Sequence, residues 1–258
     1  MGGLLMTTLL VRPPEVRAAD LGHTVVLLHA RTGTVRALLG SQREAFLALD
    51  ATGTWTPGTE AEALAASLSS AGFLHPAQPG QVPAPIVDIP ETDASWGTQE
   101  APGALPARGP LSPAWAPIAA CALAAVLLVR ATGRRAHAFS RMLRLVRIAA
   151  WVARRPARDT QVVAVLHCVR VIGGLSPFRT ACLEETVAAM LALAVTGRRA
   201  GWCHGIAADP IRLHAWLSLD GCPVGEPTST LRFTPLIQLP EPTAPTRHRG
   251  RAARGDTP

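Results

Sequence analysis

The chain has 258 residues, 48% of them apolar, and a formal net charge of +7. This length fits one large or two small domains, and the apolar share excludes wholesale disorder, which needs few apolar residues and high net charge. Five cysteines at irregular spacing exclude a disulfide-dense scaffold and point to a reducing compartment, so the expected location is cytoplasmic.

The charge is unevenly spread. Residues 1–110 hold six Arg against ten acids, a balance of −4, and residues 111–258 hold nineteen against eight, a balance of +11. All 25 basic residues are Arg. Such a sign change across a proline-rich stretch marks a domain boundary, and the basic half would attract an acidic partner. The start, Met1–Val16, has no basic segment ahead of its apolar residues, so no signal peptide is read.

Two β-rich runs come first, His23–Ala30 and Thr34–Leu39, with a turn at Arg31-Thr32-Gly33. They predict a hairpin. Ser41 with Glu44 three residues on forms a capping-box pattern and predicts a helix to about Asp50. A second helix is predicted from Glu60 to Ser70, ended by Gly72, after which Phe73-Leu74 would dock on the hairpin. A hairpin with short helices in about 75 residues reads as a small winged-helix-like module, residues 1–75. From 76 to 113 there are nine prolines, a semi-stiff linker.

The apolar run Ala114–Val129 has sixteen residues and contains Pro117. A spanning helix needs about 20, so a buried or peripheral helix is predicted and no integral span. Phe139, Met142, Leu143, Val146, Ala149 and Ala150 recur at helical spacing, with Arg141, Arg144 and Arg147 on the other face. A further helix is predicted from Asp159 to Gly173-Gly174. Arg-rich faces can meet nucleic-acid phosphates, but no zinc finger, RNA-binding aromatic motif or DNA-reading helix accompanies these, so nucleic acid is not expected as a partner. The tail, 240–258, is Pro/Arg-rich and expected to be disordered.

The chemistry concentrates in Ser176–Pro227. Cys182 falls in the first turn of a predicted helix that ends at Gly197. The positive end of the helix dipole favours the thiolate nucleophile there, although a buried core thiol has the same signature. Ile211–Leu219 alternates as a strand, with Ile211, Leu213, Ala215 and Leu217 on one face and Arg212, His214, Trp216 and Ser218 on the other. His214 is a candidate general base or an ordinary surface histidine. A three-residue loop, Leu219-Asp220-Gly221, would pair Ser218 with Cys222 and put Glu226 opposite His214, where it could fix the imidazole tautomer. A two-residue turn would put Pro227 there instead. Asp220 is the second candidate acid, in a sequence context that reads as turn.

The order of a helix-start Cys, His-Ala-Trp on a strand about thirty residues on, and an acid after the next turn resembles the transglutaminase-like cysteine peptidases. More narrowly, "ACLEETVAAMLALAVTGRRAGWCHGIAADPIRLHAWLSLDGCPVGEP" resembles the B proteins of lasso-peptide biosynthesis, over about Ala136–Leu236. The resemblance implies a papain/transglutaminase-like α+β peptidase domain at 114–239 that removes the leader from a ribosomally made precursor, with Cys182, His214 and Glu226 catalytic. It implies that the front module binds the leader peptide by strand addition to its hairpin, with Val25, Val35 and Leu38 in contact. Trp216, Trp202 and His204 would line the substrate cleft. An ATP-dependent lasso cyclase resembling asparagine synthetase would be the partner that joins the freed core amine to an acidic side chain. Two rival classes stay open: a non-catalytic precursor-binding chaperone on the same fold, and an Arg-rich membrane-surface or nucleic-acid-binding protein.

No metal or cofactor is expected. Cys168, Cys182, Cys203, His204, Cys222 and His214 offer donors, but there is no C-x-x-C pair, and the adjacent Cys203-His204 is a spacing that structural zinc sites seldom use. No phosphate-binding G-x-x-x-x-G-K-[ST] loop is present, and without lysine none is possible.

Overall fold

In the computed structural model the described residues are 10–52, 60–77, 83–89, 109–208 and 210–240. The start of the chain, most of the proline-rich stretch and the expected disordered tail beyond Pro240 lie outside them.

The front of the chain gives β1 (Leu10–Val11), β2 (Val16–Asp20), β3 (Thr24–His29) and β4 (Val35–Leu39), then α1 (Ser41–Thr52), α2 (Glu60–Ser70), β5 (His75–Pro76) and β6 (Ile86–Asp88). The hairpin and both helices lie where the sequence places them. The boundary residue of α1 is Gly40 rather than Ser41: Gly40 has φ +51°, and its carbonyl accepts from the Glu44 N–H at 3.2 Å. β4, β3 and β2 pair antiparallel in that order, and β6 adds parallel to β2. β6 falls inside the stretch read as linker, so the sheet extends past the expected boundary at residue 75. Three extended residues between prolines are too few to give a periodic signal.

β3, Thr-Val-Val-Leu-Leu-His, is buried along its whole length. Its alternate side chains serve different cores, because successive strand residues point to opposite faces. Val25 and Leu27 pack with Phe46, Leu49, Leu64, Leu68 and Phe73 under α1 and α2. Val26 and Leu28 join Ala19, Leu21 and Ile89 in the larger core that the second half of the chain builds. The two halves therefore meet through a packed sheet face. Two ion pairs lock the front: buried Arg12 to half-buried Asp50 at 3.0 Å, and half-buried Arg43 to Asp20 at 2.7 Å.

The second half gives α3 (Ala116–Ala131), α4 (Ala138–Val152), β7 (Arg155–Pro156), α5 (Asp159–Leu175), α6 (Cys182–Val195), β8 (Arg198–Arg199), β9 (Gly201–Ala207), β10 (Arg212–Leu219), β11 (Cys222–Pro223) and β12 (Thr234–Leu239). Short 3-10 turns lie at Arg135–His137 and Thr228–Arg232. The described residues form a mixed α+β structure with six helices and several small sheets. Among the described residues no helix is long and apolar enough to cross a membrane.

α6 is the central element and packs against α3, α4, α5 and β10. Its sequence explains this position. Val187, Ala188, Ala189, Met190, Ala192 and Leu193 are all buried, and a helix that is apolar on most sides has to be surrounded. The second sheet runs β11-β10-β9-β12, all antiparallel. Its inner face, Trp202, Ile206, Ala215 and Leu217, belongs to the same core as α6.

Candidate active site

Cys182 is the first residue of α6 and is half-buried. Two contacts fix its turn. The Ala181 N–H donates to Glu184 Oε2 at 3.1 Å, which satisfies one donor that a helix start leaves unpaired. The Thr186 hydroxyl donates to the Cys182 carbonyl at 2.7 Å and accepts from the Trp202 indole N–H at 3.0 Å.

His214 stands on β10, and Nε2 meets Glu226 Oε2 at 3.0 Å. With that nitrogen occupied, Nδ1 is left for Cys182. Burial opposes the charged imidazole, but hydrogen bonds to Cys182 and Glu226 and the charges of both push its pKa up to about 9. The ring is held from the sides as well. Trp216 stacks on it at 6.0 Å between ring centres and 17° between planes, and Phe233 lies 5.2 Å away.

Glu226 reaches His214 by a route the sequence does not predict. The turn is the two-residue one, Asp220-Gly221, with both residues at positive φ. β11 pairs Ser218 with Pro223 and Leu219 with Cys222, one step off the predicted register. In a continued ladder Pro227 would face His214. The ladder stops instead: after Val224 donates to the Leu217 carbonyl at 3.0 Å, Gly225 adopts φ +68°. That backbone bend brings Glu226 onto the His214 side. Asp220, the second candidate acid, stays at the exposed turn tip.

Arg170 on α5 completes the cluster and has no counterpart in the sequence reading. Its side chain is 6% exposed, and that of Glu226 is 1% exposed. Nη1 donates to the Gly225 carbonyl at 2.7 Å, Nη2 donates to Glu226 Oε1, and Nε lies 3.6 Å from Glu185 Oε2. The guanidinium thus pins both the bend and the carboxylate, leaving Glu226 Oε2 free for His214. Burial pushes the Glu185 carboxyl up from its usual range, Arg170 opposes this, and the nearby Glu226 and Glu184 add to it. A lone Arg in the apolar run Val162–Ile172 was the available signal, since a charge in such a place is seldom left unpaired.

The expected substrate contacts fare differently. Trp202 is fully buried and braces the Cys182 turn through Thr186. His204 is buried too, stacked on Trp202 at 6.0 Å and edge-on to Phe139 at 5.3 Å. Burial first and the His214 charge second push its pKa down to about 4, so it is neutral. Trp216 is 2% exposed. These three support the site from behind rather than line an open cleft. Gly205 makes room for this packing, since a Cβ there would come within 2.7 Å of the Trp216 ring and 2.4 Å of the Thr234 carbonyl oxygen. In the front sheet Val25 is buried under α1 and α2 and is out of reach of an added strand. Val35 is exposed on edge strand β4, and Leu38 lines a cleft of about 310 Å³ between β4, α1 and α2. Among the described residues no group of three or more metal-ligating side chains comes together.

A thiol beside an imidazole that is itself held by a buried carboxylate is an arrangement that can activate the thiol for acyl transfer. Residues 121–238 match the transglutaminase-like superfamily. Such domains typically work through a Cys-His-Asp set; in this chain the carboxylate that meets His214 is that of Glu226. No curated protein and no solved structure matches the chain.

Proposed function

We propose that this protein is a cysteine peptidase that removes the leader from a ribosomally made lasso-peptide precursor. The observation that carries the proposal is the contact series Cys182–His214–Glu226, closed by Arg170. The Cys182 thiolate attacks the carbonyl at the leader–core junction. The Cys182 N–H, a first-turn donor without an intrahelical acceptor, stabilises the oxyanion. The imidazolium of His214 gives its proton to the departing amine as the C–N bond breaks, leaving the leader as a thioester on sulfur. Water then attacks the thioester with His214 taking its proton, the C–S bond breaks, and the leader leaves as a carboxylic acid. Glu226 keeps the imidazole in the tautomer that presents Nδ1 to sulfur.

The front sheet serves as the winged-helix-like recognition module. β4 pairs only with β3 among the described residues, and a leader segment adds to its open edge beside the cleft that Leu38 lines. The freed core amine is the substrate of an ATP-dependent cyclase, the second partner. Incubation with the precursor peptide encoded beside it, followed by mass spectrometry, tests the proposal. Cleavage at one junction, absent with Cys182→Ala, is expected. Intact peptide with the active protein, cyclase and ATP also supplied, would move the reading to a precursor-binding chaperone.

A further inference from the structure

A long groove lies beside the Cys182 turn. α3 and the last turn of α5 form its walls, and Ser176–Arg179 closes one end. Its volume is about 1170 Å³, above the roughly 300–1,000 Å³ of small-molecule pockets. The floor is apolar, with Leu123, Leu127 and Ile172. Leu128, Leu175 and Phe178 on the rim are 63%, 80% and 65% exposed, an apolar patch of the kind that marks a binding surface.

The charge of the rim is of one sign. Arg130, Arg135 and Arg179 line it and no Asp or Glu does. Arg130 is already used: it pairs with Glu184 at 3.1 Å and donates to the Arg179 carbonyl at 2.9 Å, which ties the groove wall to the catalytic helix. The side chains of Arg135 and Arg179 have no acidic partner among the described residues. The groove is also near the nucleophile. Arg179 is three residues before Cys182, and three residues span at most about 11 Å. No strand edge lines the groove, so a ligand there is held through its side chains and not through main-chain pairing.

We propose that this groove is a peptide subsite, which takes a segment of the substrate rich in large apolar and acidic residues, about three or more positions from the bond cut at Cys182. The apolar side chains fill the floor between α3 and α5, and carboxylates meet Arg135 and Arg179. The proposal rests on the peptidase reading but is tested without cleavage. Full-length Cys182→Ala protein is titrated into a fluorescein-labelled dodecapeptide that repeats Glu-Leu-Glu-Phe, and anisotropy is read. Saturable binding is expected, weakened about tenfold or more by Arg135→Glu and by Phe178→Ser, the loss that one hot-spot contact gives. A Lys-Leu-Lys-Phe repeat and a Glu-Ser-Glu-Ser repeat should bind at least tenfold more weakly. Melting curves and the milder Arg135→Ala separate lost contacts from lost folding. Equal binding by the variants, or equal binding of the lysine repeat, overturns the subsite. So does a mass measurement in which the patch is covered by a second copy of the chain, or co-sedimentation with phosphatidylglycerol vesicles that displaces the acidic peptide. If the groove fails while the active enzyme still cuts its precursor, the peptidase reading stands alone; if cleavage fails while groove binding holds, the reverse is true.

Discussion

The two four-stranded sheets use their inner strands in opposite ways. β3 is apolar on both faces, because helices cover one and the second half of the chain covers the other. β10 gives Leu213, Ala215, Leu217 and Leu219 to the core, and its other face holds His214, Trp216 and Ser218. A strand with core on both sides keeps a titratable group only at its end, as β3 does with buried His29. A strand with core on one side can present an imidazole while its neighbours hold the backbone rigid. The candidate chemistry thus lies on β10, and β3 joins the front half of the chain to the rest.

The sharpest break of that contrast is on β10. His214→Ala should lower kcat/KM on the proposed precursor by on the order of 10⁴-fold, and should also lower the melting temperature below about pH 9, because it removes the stabilising contact to Glu226. Glu226→Gln should cost about 10²-fold to 10⁴-fold and also move the pH profile. His214 is held protonated up to about pH 9 by burial-opposed contacts to Cys182 and Glu226. Its proton donation to the leaving amine is therefore lost as pH rises through about 9, and removing the Glu226 charge should shift that descending limb to lower pH. The same raised pKa stabilises the fold, fully below the ordinary value of 6.5 and decreasingly up to about 9. Melting temperature should thus decline over that window in the parent and less so in Glu226→Gln. A limb that stays in place in the variant would contradict the Glu226 contact.

Smaller effects separate support from chemistry. Arg170→Met leaves the buried Glu226 carboxylate with His214 but without its guanidinium partner and should destabilise the protein by about 3–5 kcal/mol in urea unfolding. Gly225→Ala combines φ +68° with a Cβ 2.9 Å from Leu166; the strain, about 1–3 kcal/mol, should lower kcat more than it raises KM, since Glu226 follows directly. On β3, Val26→Thr buries a hydroxyl at the joint between the halves and should cost about 1–3 kcal/mol while leaving kcat near the parent value.

Much of this was legible in the sequence, for unequal reasons. The helix start at Cys182 and the alternation around His214 are local patterns, and both elements lie where the residues place them. Glu226 was named for a register the protein does not use. The turn is one residue tighter, and Gly225 restores by a bend what the ladder would have lost. Arg170 left no signal of its role because the two groups it pins, Gly225 and Glu226, are 55 and 56 residues away in the chain, and pairing across that distance leaves no periodic trace. Polar aromatics next to a cysteine suggest a cleft for Trp202 and His204, but the fold buries both. Their strand parity puts them on the inner face with Ala215 and Leu217. β6 escaped notice because three residues between prolines carry no pattern.

The most direct test is the alkylation rate of each cysteine by iodoacetamide near neutral pH, read by peptide mass. Cys121 and Cys222 are exposed and serve as internal references, while burial pushes the Cys203 thiol up and keeps it slow. If Cys182, His214 and Glu226 act as one unit, half-buried Cys182 should react faster than both exposed thiols, and His214→Ala should remove that advantage. A Cys182 that reacts no faster than Cys121 and Cys222, or whose rate is unchanged by His214→Ala, would contradict the assignment of the nucleophile.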